Sequence, residues 1–222
     1  MRQEKQPVIQ TRPVRIPAGV VELDGDLTIP ANAEGLVVFA HGSGSSRKSP
    51  RNRFVAETLN RHHQATLLAD LLTPDEEAVD NETRHLRFDI PFLAKRLSHM
   101  LQWAADNEST RNMNVGCFGA STGAAAALIT AAYMPKTVKA VVSRGGRPDL
   151  ADEYLQMVKA PTLLVVGTRD PEVLHLNREA LKSLNKDSAL RLVHGASHLF
   201  EEPGTLAQVA ELAAKWFAMH LE

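Results

Sequence analysis

Beyond Gly35 the chain alternates short, uninterrupted apolar runs with longer stretches in which apolar residues recur every three or four positions. A run that is apolar at every residue has no polar side to offer water. It is read as a strand covered on both sides, the arrangement of a mainly parallel sheet with helices on both faces. Residues 35–40, 65–70, 115–119, 138–143, 162–167 and 189–193 read as such strands. Residues 51–62, 89–107, 123–133, 150–158, 172–184 and 205–220 read as the helices between them. In 89–107 the stripe Ile90, Leu93, Leu97 and Leu101 has helical spacing, and the Ala-rich segment 123–133 is a strong helix former that can pack closely on a sheet. Upstream, 14–16 and 20–28 read as an antiparallel edge pair, with Asp24-Gly25 marking a turn or a bulge. Residues 72–87 are polar and carry no clear period, although Asp75-Glu76-Glu77 suits a helix start.

The 222 residues contain no linker, repeat or low-complexity segment, so one domain spanning 1–222 is expected. With 25 Lys+Arg against 26 Asp+Glu the formal charge is -1, which provides no field to draw nucleic acid or an anionic membrane surface. A single cysteine, Cys117, excludes an intrachain disulfide and a thiolate cluster, and the nine histidines lack His-Glu-x-x-His spacing, so no metal is expected. The first 17 residues lack the apolar core of a secretory signal, and no run approaches the roughly 18 to 20 apolar residues of a membrane span. The expectation is a cytoplasmic protein acting on a small molecule.

The chemistry concentrates in Gly119-Ala120-Ser121-Thr122-Gly123, between an apolar strand and the Ala-rich helix. A sharp strand-to-helix turn forces the middle residue toward a strained backbone and brings neighbouring chain close, so glycine is needed on both flanks and the serine oxygen is exposed. The bland alternative is a Gly-rich helix entry with a capping serine. A nucleophilic serine needs a base, and the base needs an orienting carboxylate. Asp170 follows the strand at 162–167, and His198 follows the strand at 189–193. Parallel strands end at one sheet edge, where these residues can converge with Ser121. His194 is the rival base, Glu172 and Asp149 are reserve carboxylates, and Asp170 before Pro171 can equally be a helix cap.

The loop after the first buried strand, His41-Gly42-Ser43-Gly44, supplies the other half of such a site. Backbone N–H groups of Ser43 and Thr122 are the expected oxyanion donors, Gly42 and Gly44 allow close approach, and His41 braces the loop. Residues 42–49, Gly-Ser-Gly-Ser-Ser-Arg-Lys-Ser, also come within one residue of a phosphate-cradling G-x-x-x-x-G-K-[ST], with Arg47 where the second glycine belongs and Asp70 as a possible magnesium-side carboxylate. That leaves a P-loop-like nucleotide hydrolase as one alternative, and a non-catalytic receptor on a hydrolase scaffold as another. Arg144, at the end of the strand at 138–143, has two readings: a clamp for a substrate carboxylate, or a structural ion pair with Asp149 or Asp89.

The order His41-Gly42, Gly119 to Gly123, Asp170, His198 resembles the α/β-hydrolase superfamily over nearly the whole chain. The lidless length and the stretch Val141-Val142-Ser143-Arg144-Gly145-Gly146-Arg147-Pro148-Asp149 look like its dienelactone hydrolase-like branch. The resemblance implies an eight-stranded sheet without a large lid domain, a Ser121, Asp170, His198 triad, and ester or lactone hydrolysis without a cofactor. One departure stands out: dienelactone hydrolases proper carry a cysteine nucleophile, whereas this elbow carries Ser121, and Cys117 lies inside the preceding strand.

Overall fold

A computed structural model describes residues 9–222. Eight strands form one sheet in the order β1-β2-β4-β3-β5-β6-β7-β8. β1 (Ile9–Ala18) and β2 (Val21–Pro30) make an antiparallel hairpin that turns at Gly19, where φ is 78°. β2 lies antiparallel to β4 (Gln64–Ala69), and the remaining pairs, through β3 (Gly35–Ala40), β5 (Asn114–Ala120), β6 (Val138–Arg144), β7 (Thr162–Gly167) and β8 (Ala189–Val193), are parallel. Every residue of β3, β4 and β7 is buried, as their unbroken apolar or neutral character requires.

Two helices, α1 (Pro50–Arg61) and α6 (Thr205–Leu221), cover one face, packing on Val37, Phe39, Phe118, Ala140, Val142 and Val165. The other face is covered by α3 (Ile90–Asp106) and α4 (Thr122–Tyr133), with Ile90, Leu93, Leu97 and Leu101 of α3 in the core as their spacing demands. α2 (Pro74–Thr83) and α5 (Pro171–Ser183) complete the set. None of the described helices is long and apolar enough to cross a membrane.

Two readings of the sequence are corrected, and a third, the helix start at Asp75-Glu76-Glu77, is borne out. Asp24-Gly25 is neither turn nor bulge but mid-strand: a Cβ on Gly25 would lie 3.1 Å from Val14 Cγ2, 3.2 Å from Ile16 Cδ1 and 3.3 Å from Ala69 Cβ, so the glycine makes room for packing. Residues 72–87 contain α2, opened by a capping box in which Thr73 Oγ1 accepts the Glu76 N–H at 3.2 Å and Glu76 Oε2 accepts the Thr73 N–H at 2.8 Å. Its only buried residue is Asp80, which accepts from the Leu86 and Arg87 N–H groups and from the Arg87 guanidinium. A helix docked by a carboxylate has no apolar stripe to read. Residues 150–158 are not α-helical: Pro148–Met157 forms 3-10 turns broken at Asp152, where φ is 41°.

Candidate active site

The parallel strands all deliver their C-terminal ends to one edge, which carries Ser121 after β5, Arg144 at the end of β6, Asp170 after β7 and His198 after β8. Ser121 has φ 51° and ψ -120°, a conformation that costs a non-glycine residue on the order of 1–3 kcal/mol. Its surroundings hold it there. Its N–H donates to Arg144 O at 3.2 Å, and its carbonyl accepts from Ala124 and Arg147 N–H groups at 3.1 Å each. The flanking glycines are obligatory: a Cβ on Gly119 would fall 2.4 Å from Ala124 Cα, and one on Gly123 would fall 2.2 Å from Ala40 O. The Ser121 side chain caps nothing, so the helix-cap reading fails.

Asp170 likewise stands at the start of α5 without capping it. Its Oδ2 lies 2.6 Å from His198 Nδ1 and accepts the hydrogen bond of the Nδ1–H tautomer, which leaves Nε2 unprotonated. The rival residues make no equivalent contact. His194 is exposed, Asp149 is held by Arg147 at 2.9 and 2.7 Å, and Glu172 is exposed in the first turn of α5.

The loop after β3 packs directly on the elbow, since a Cβ on Gly42 would stand 3.1 Å from Ser121 Cβ. Thr122, first in α4, has no intrahelical acceptor for its N–H. The Ser43 N–H, expected to be equally free, donates instead to Thr122 Oγ1 at 2.9 Å. The sequence reading counted only the backbone of Thr122 and missed this hydroxyl, which ties the loop to the elbow. His41 does brace the loop: Nε2 accepts the Leu71 N–H at 3.0 Å, so Nδ1 carries the proton and donates to Gly42 O at 3.0 Å. Desolvation holds its pKa below the usual histidine value, consistent with a neutral ring.

Residues 42–49 do not form a phosphate cradle. The N–H groups of Ser43, Ser45, Arg47, Lys48 and Ser49 all go to protein acceptors, and the guanidinium of Arg47 pairs with Asp70 at 2.9 Å and Asp26 at 3.6 Å. Neither the nest of N–H groups nor a free Asp70 is available.

Arg144 is buried, and neither proposed structural partner reaches it, because Asp149 is held by Arg147 and Asp89 caps α3 by accepting the Phe92 N–H. The structural ion-pair reading is therefore corrected. Desolvation and the neighbouring Arg51 push its pKa down to about 10.

Glu202, which no motif marks, joins the loops that carry Asp170 and His198. Its Oε2 accepts the Ser197 N–H at 3.0 Å, and its Oε1 lies 3.4 Å from Arg169 Nη1. Replacing Glu202 by alanine should lower kcat on the order of ten- to a hundredfold with little change in KM, while glutamine, which keeps the Ser197 acceptor, should retain most activity. The Ser197 N–H lowers the Glu202 pKa from 4.5, so the carboxylate stabilises the folded loop fully above that value and the contribution is lost as pH falls through the lower folded value. Melting temperatures from pH 7 to pH 3 should therefore fall less steeply for Glu202→Gln than for the unmodified protein.

The fold is that of the α/β-hydrolases. The chain belongs to the dienelactone hydrolase family, whose model matches residues 24–220. A dienelactone hydrolase from Anabaena variabilis superposes with a TM-score of 0.95 at 55% identity, covering 98% of this chain and 100% of that one. Est1E from Butyrivibrio proteoclasticus shares the fold at 16% identity and TM-score 0.76, covering 93% of this chain and 99% of its own. Two Mycobacterium tuberculosis proteins, from strains CDC 1551 and H37Rv, are each 54% identical over 215 residues and carry the provisional name phosphoribosyl transferase. The match takes in 97% of this chain but only 48% of each of those proteins, so the chain spans about half their length. Cys117 is fully buried in β5 and its thiol is pushed up to about 12, which removes it as a nucleophile.

Proposed function

We propose that the chain is a serine hydrolase that cleaves carboxylic esters or lactones of small molecules through an acyl-enzyme on Ser121. The observation that carries this reading is the 2.6 Å contact between Asp170 Oδ2 and His198 Nδ1 at the edge where the strained Ser121 turn presents its hydroxyl. With Nδ1–H held by the carboxylate, His198 Nε2 takes the Ser121 proton as Oγ attacks the ester carbonyl. The N–H of Thr122 meets the oxyanion; the N–H of Ser43 joins it once the Thr122 hydroxyl yields. His198 then protonates the leaving alcohol and activates water to release the acid, while Asp170 stabilises the imidazolium.

The transferase name of the mycobacterial relatives describes proteins twice as long, and residues 42–49 here have too few free N–H groups to grip a phosphate. No cofactor, nucleic acid or membrane enters the proposed reaction. The reading is tested with aryl esters of graded acyl length and a fluorophosphonate probe, which should label the peptide containing Ser121. Specific ligand binding without turnover would favour the receptor, and magnesium-dependent ATP hydrolysis lost in Lys48→Ala would restore the nucleotide reading.

A further inference from the structure

The backbone of Arg144-Gly145-Gly146-Arg147, at the end of β6, reaches both Ser121 and His198. Arg144 O accepts the Ser121 N–H at 3.2 Å, the Gly145 N–H donates to Val165 O at 2.8 Å, and a Cβ on Gly145 would stand 3.1 Å from His198 O. The next peptide group joins two further elements. Its carbonyl, Gly146 O, accepts from Asn177 Nδ2 at 2.9 Å, and its N–H, on Arg147, donates to Ser121 O at 3.1 Å. A trans peptide group is planar, so its C=O and N–H point in opposite directions and turn together. Whatever fixes the carbonyl therefore fixes the N–H that holds Ser121.

Asn177 shares the buried stripe of α5 with Val173 and Ala180, where a polar side chain brings no packing advantage. It is fully buried, and its Oδ1 is enclosed without a donor among the described residues. Both Nδ2 protons are placed: one goes to Gly146 O, the other to Val173 O at 2.8 Å, one turn back on the same helix. Two carbonyl oxygens around one atom of the side-chain amide require that atom to be the nitrogen. The Val173 bond fixes the rotamer, and the fixed rotamer aims the second proton at Gly146. Asp170 stands at the start of the same helix, about two turns earlier. One rigid element thus carries the carboxylate that orients His198 and the amide that orients the peptide holding Ser121.

We propose that Asn177 is a positioning residue for the reaction at Ser121: by holding the 146–147 peptide it keeps the strained Ser121 backbone in register with the Asp170–His198 pair. The proposal rests on the serine-hydrolase reading and adds to it a residue that acts only through the backbone. Gly146 has no side chain to resist rotation of that peptide, and it can have none, because a Cβ there would overlap Ser143 Oγ. The orientation of the peptide therefore depends on the hydrogen bonds at its two ends. Without the Asn177 amide, Gly146 O would be left unpaired against α5, and turning it toward another donor would withdraw the Arg147 N–H from Ser121 O. The left-handed φ of 51° at Ser121 would then lose one of the contacts that hold it.

Asn177→Ser tests the proposal, because a serine hydroxyl can bond back to Val173 O but is too short to reach Gly146 O. With aryl esters, kcat should fall on the order of ten- to a hundredfold while KM stays within about twofold, since the nucleophile is misplaced and nothing that binds the ester is changed. The rate of fluorophosphonate labelling should fall by a similar factor, and the Arg147 N–H should exchange with deuterium at least about tenfold faster. Ala180→Gly, on the same stripe, should lower the melting temperature and leave kcat, KM and labelling unchanged. An Asn177→Ser protein with unchanged kcat, or an equal loss of kcat in Ala180→Gly, overturns the positioning role. Should Asn177→Ser fail to fold, the unmodified protein decides: the Asn177 side-chain amide and the Arg147 N–H should show equal protection from exchange, because one movement of the peptide exposes both, and unequal protection overturns the link. Absence of ester turnover and labelling in the unmodified protein would instead overturn the hydrolase reading, and the Arg147 exchange rate in Asn177→Ser would then decide by itself whether Asn177 holds the Ser121 turn.

Discussion

Replacing Ser121 by alanine is expected to abolish fluorophosphonate labelling and to lower ester turnover by about 10⁴ to 10⁶, the loss seen when a nucleophile is removed from such a unit. The contacts that hold the turn are made by the backbone: the Ser121 N–H to Arg144 O, and the Ser121 carbonyl to Ala124 and Arg147. Alanine keeps all of them and suffers the same φ of 51°. The side chain caps no helix, so its hydroxyl can be deleted without orphaning a backbone donor. The melting temperature should therefore stay close to that of the unmodified protein while activity disappears. A folded Ser121→Ala protein that still turns over esters would sink the acyl-enzyme mechanism.

The second large effect separates the two histidines after β8. His198→Ala should lower kcat by at least about 10⁴, and Asp170→Asn should approach the same loss, because an amide facing Nδ1 no longer enforces the tautomer that leaves Nε2 free. Asp170 contributes no cap to α5, so its loss should show in kcat far more than in helix stability. His194 is exposed on the loop, and His194→Ala should keep kcat within about twofold, in line with ordinary surface substitutions. Comparable losses at both histidines would assign the effect to the loop as a whole, and a larger loss at His194 would reverse the roles. Steady-state kinetics on the four proteins, with melting curves as a folding control, decide the matter.

What the sequence by itself determined is whatever depends on local pattern. The unbroken apolar runs of β3 and β7 made a sheet covered on both faces unavoidable, and the stripe of α3 identified its buried side. Glycines at 119 and 123 marked the elbow, because only a missing Cβ tolerates backbone at 2.4 and 2.2 Å. The order of Ser121, Asp170 and His198 was legible for the same reason: each follows the end of a parallel strand, and such strands end together.

Tertiary structure decided everything that depends on who else arrives at a given point. Gly25 looks like a turn until Val14, Ile16 and Ala69 are packed around it, and α2 is invisible to periodicity because it docks through the Asp80 carboxylate. Residues 42–49 pass for a phosphate loop until their N–H groups are traced to acceptors drawn partly from distant parts of the chain, among them Thr122 and Asp70. Glu202 gains its importance only by touching Ser197 and Arg169 at once. For Arg144 the sequence offered Asp149 or Asp89 as structural partners. Only the fold, by giving those carboxylates to Arg147 and to the start of α3, left a buried guanidinium unpaired, because a charge pair is settled by three-dimensional proximity and not by distance along the chain.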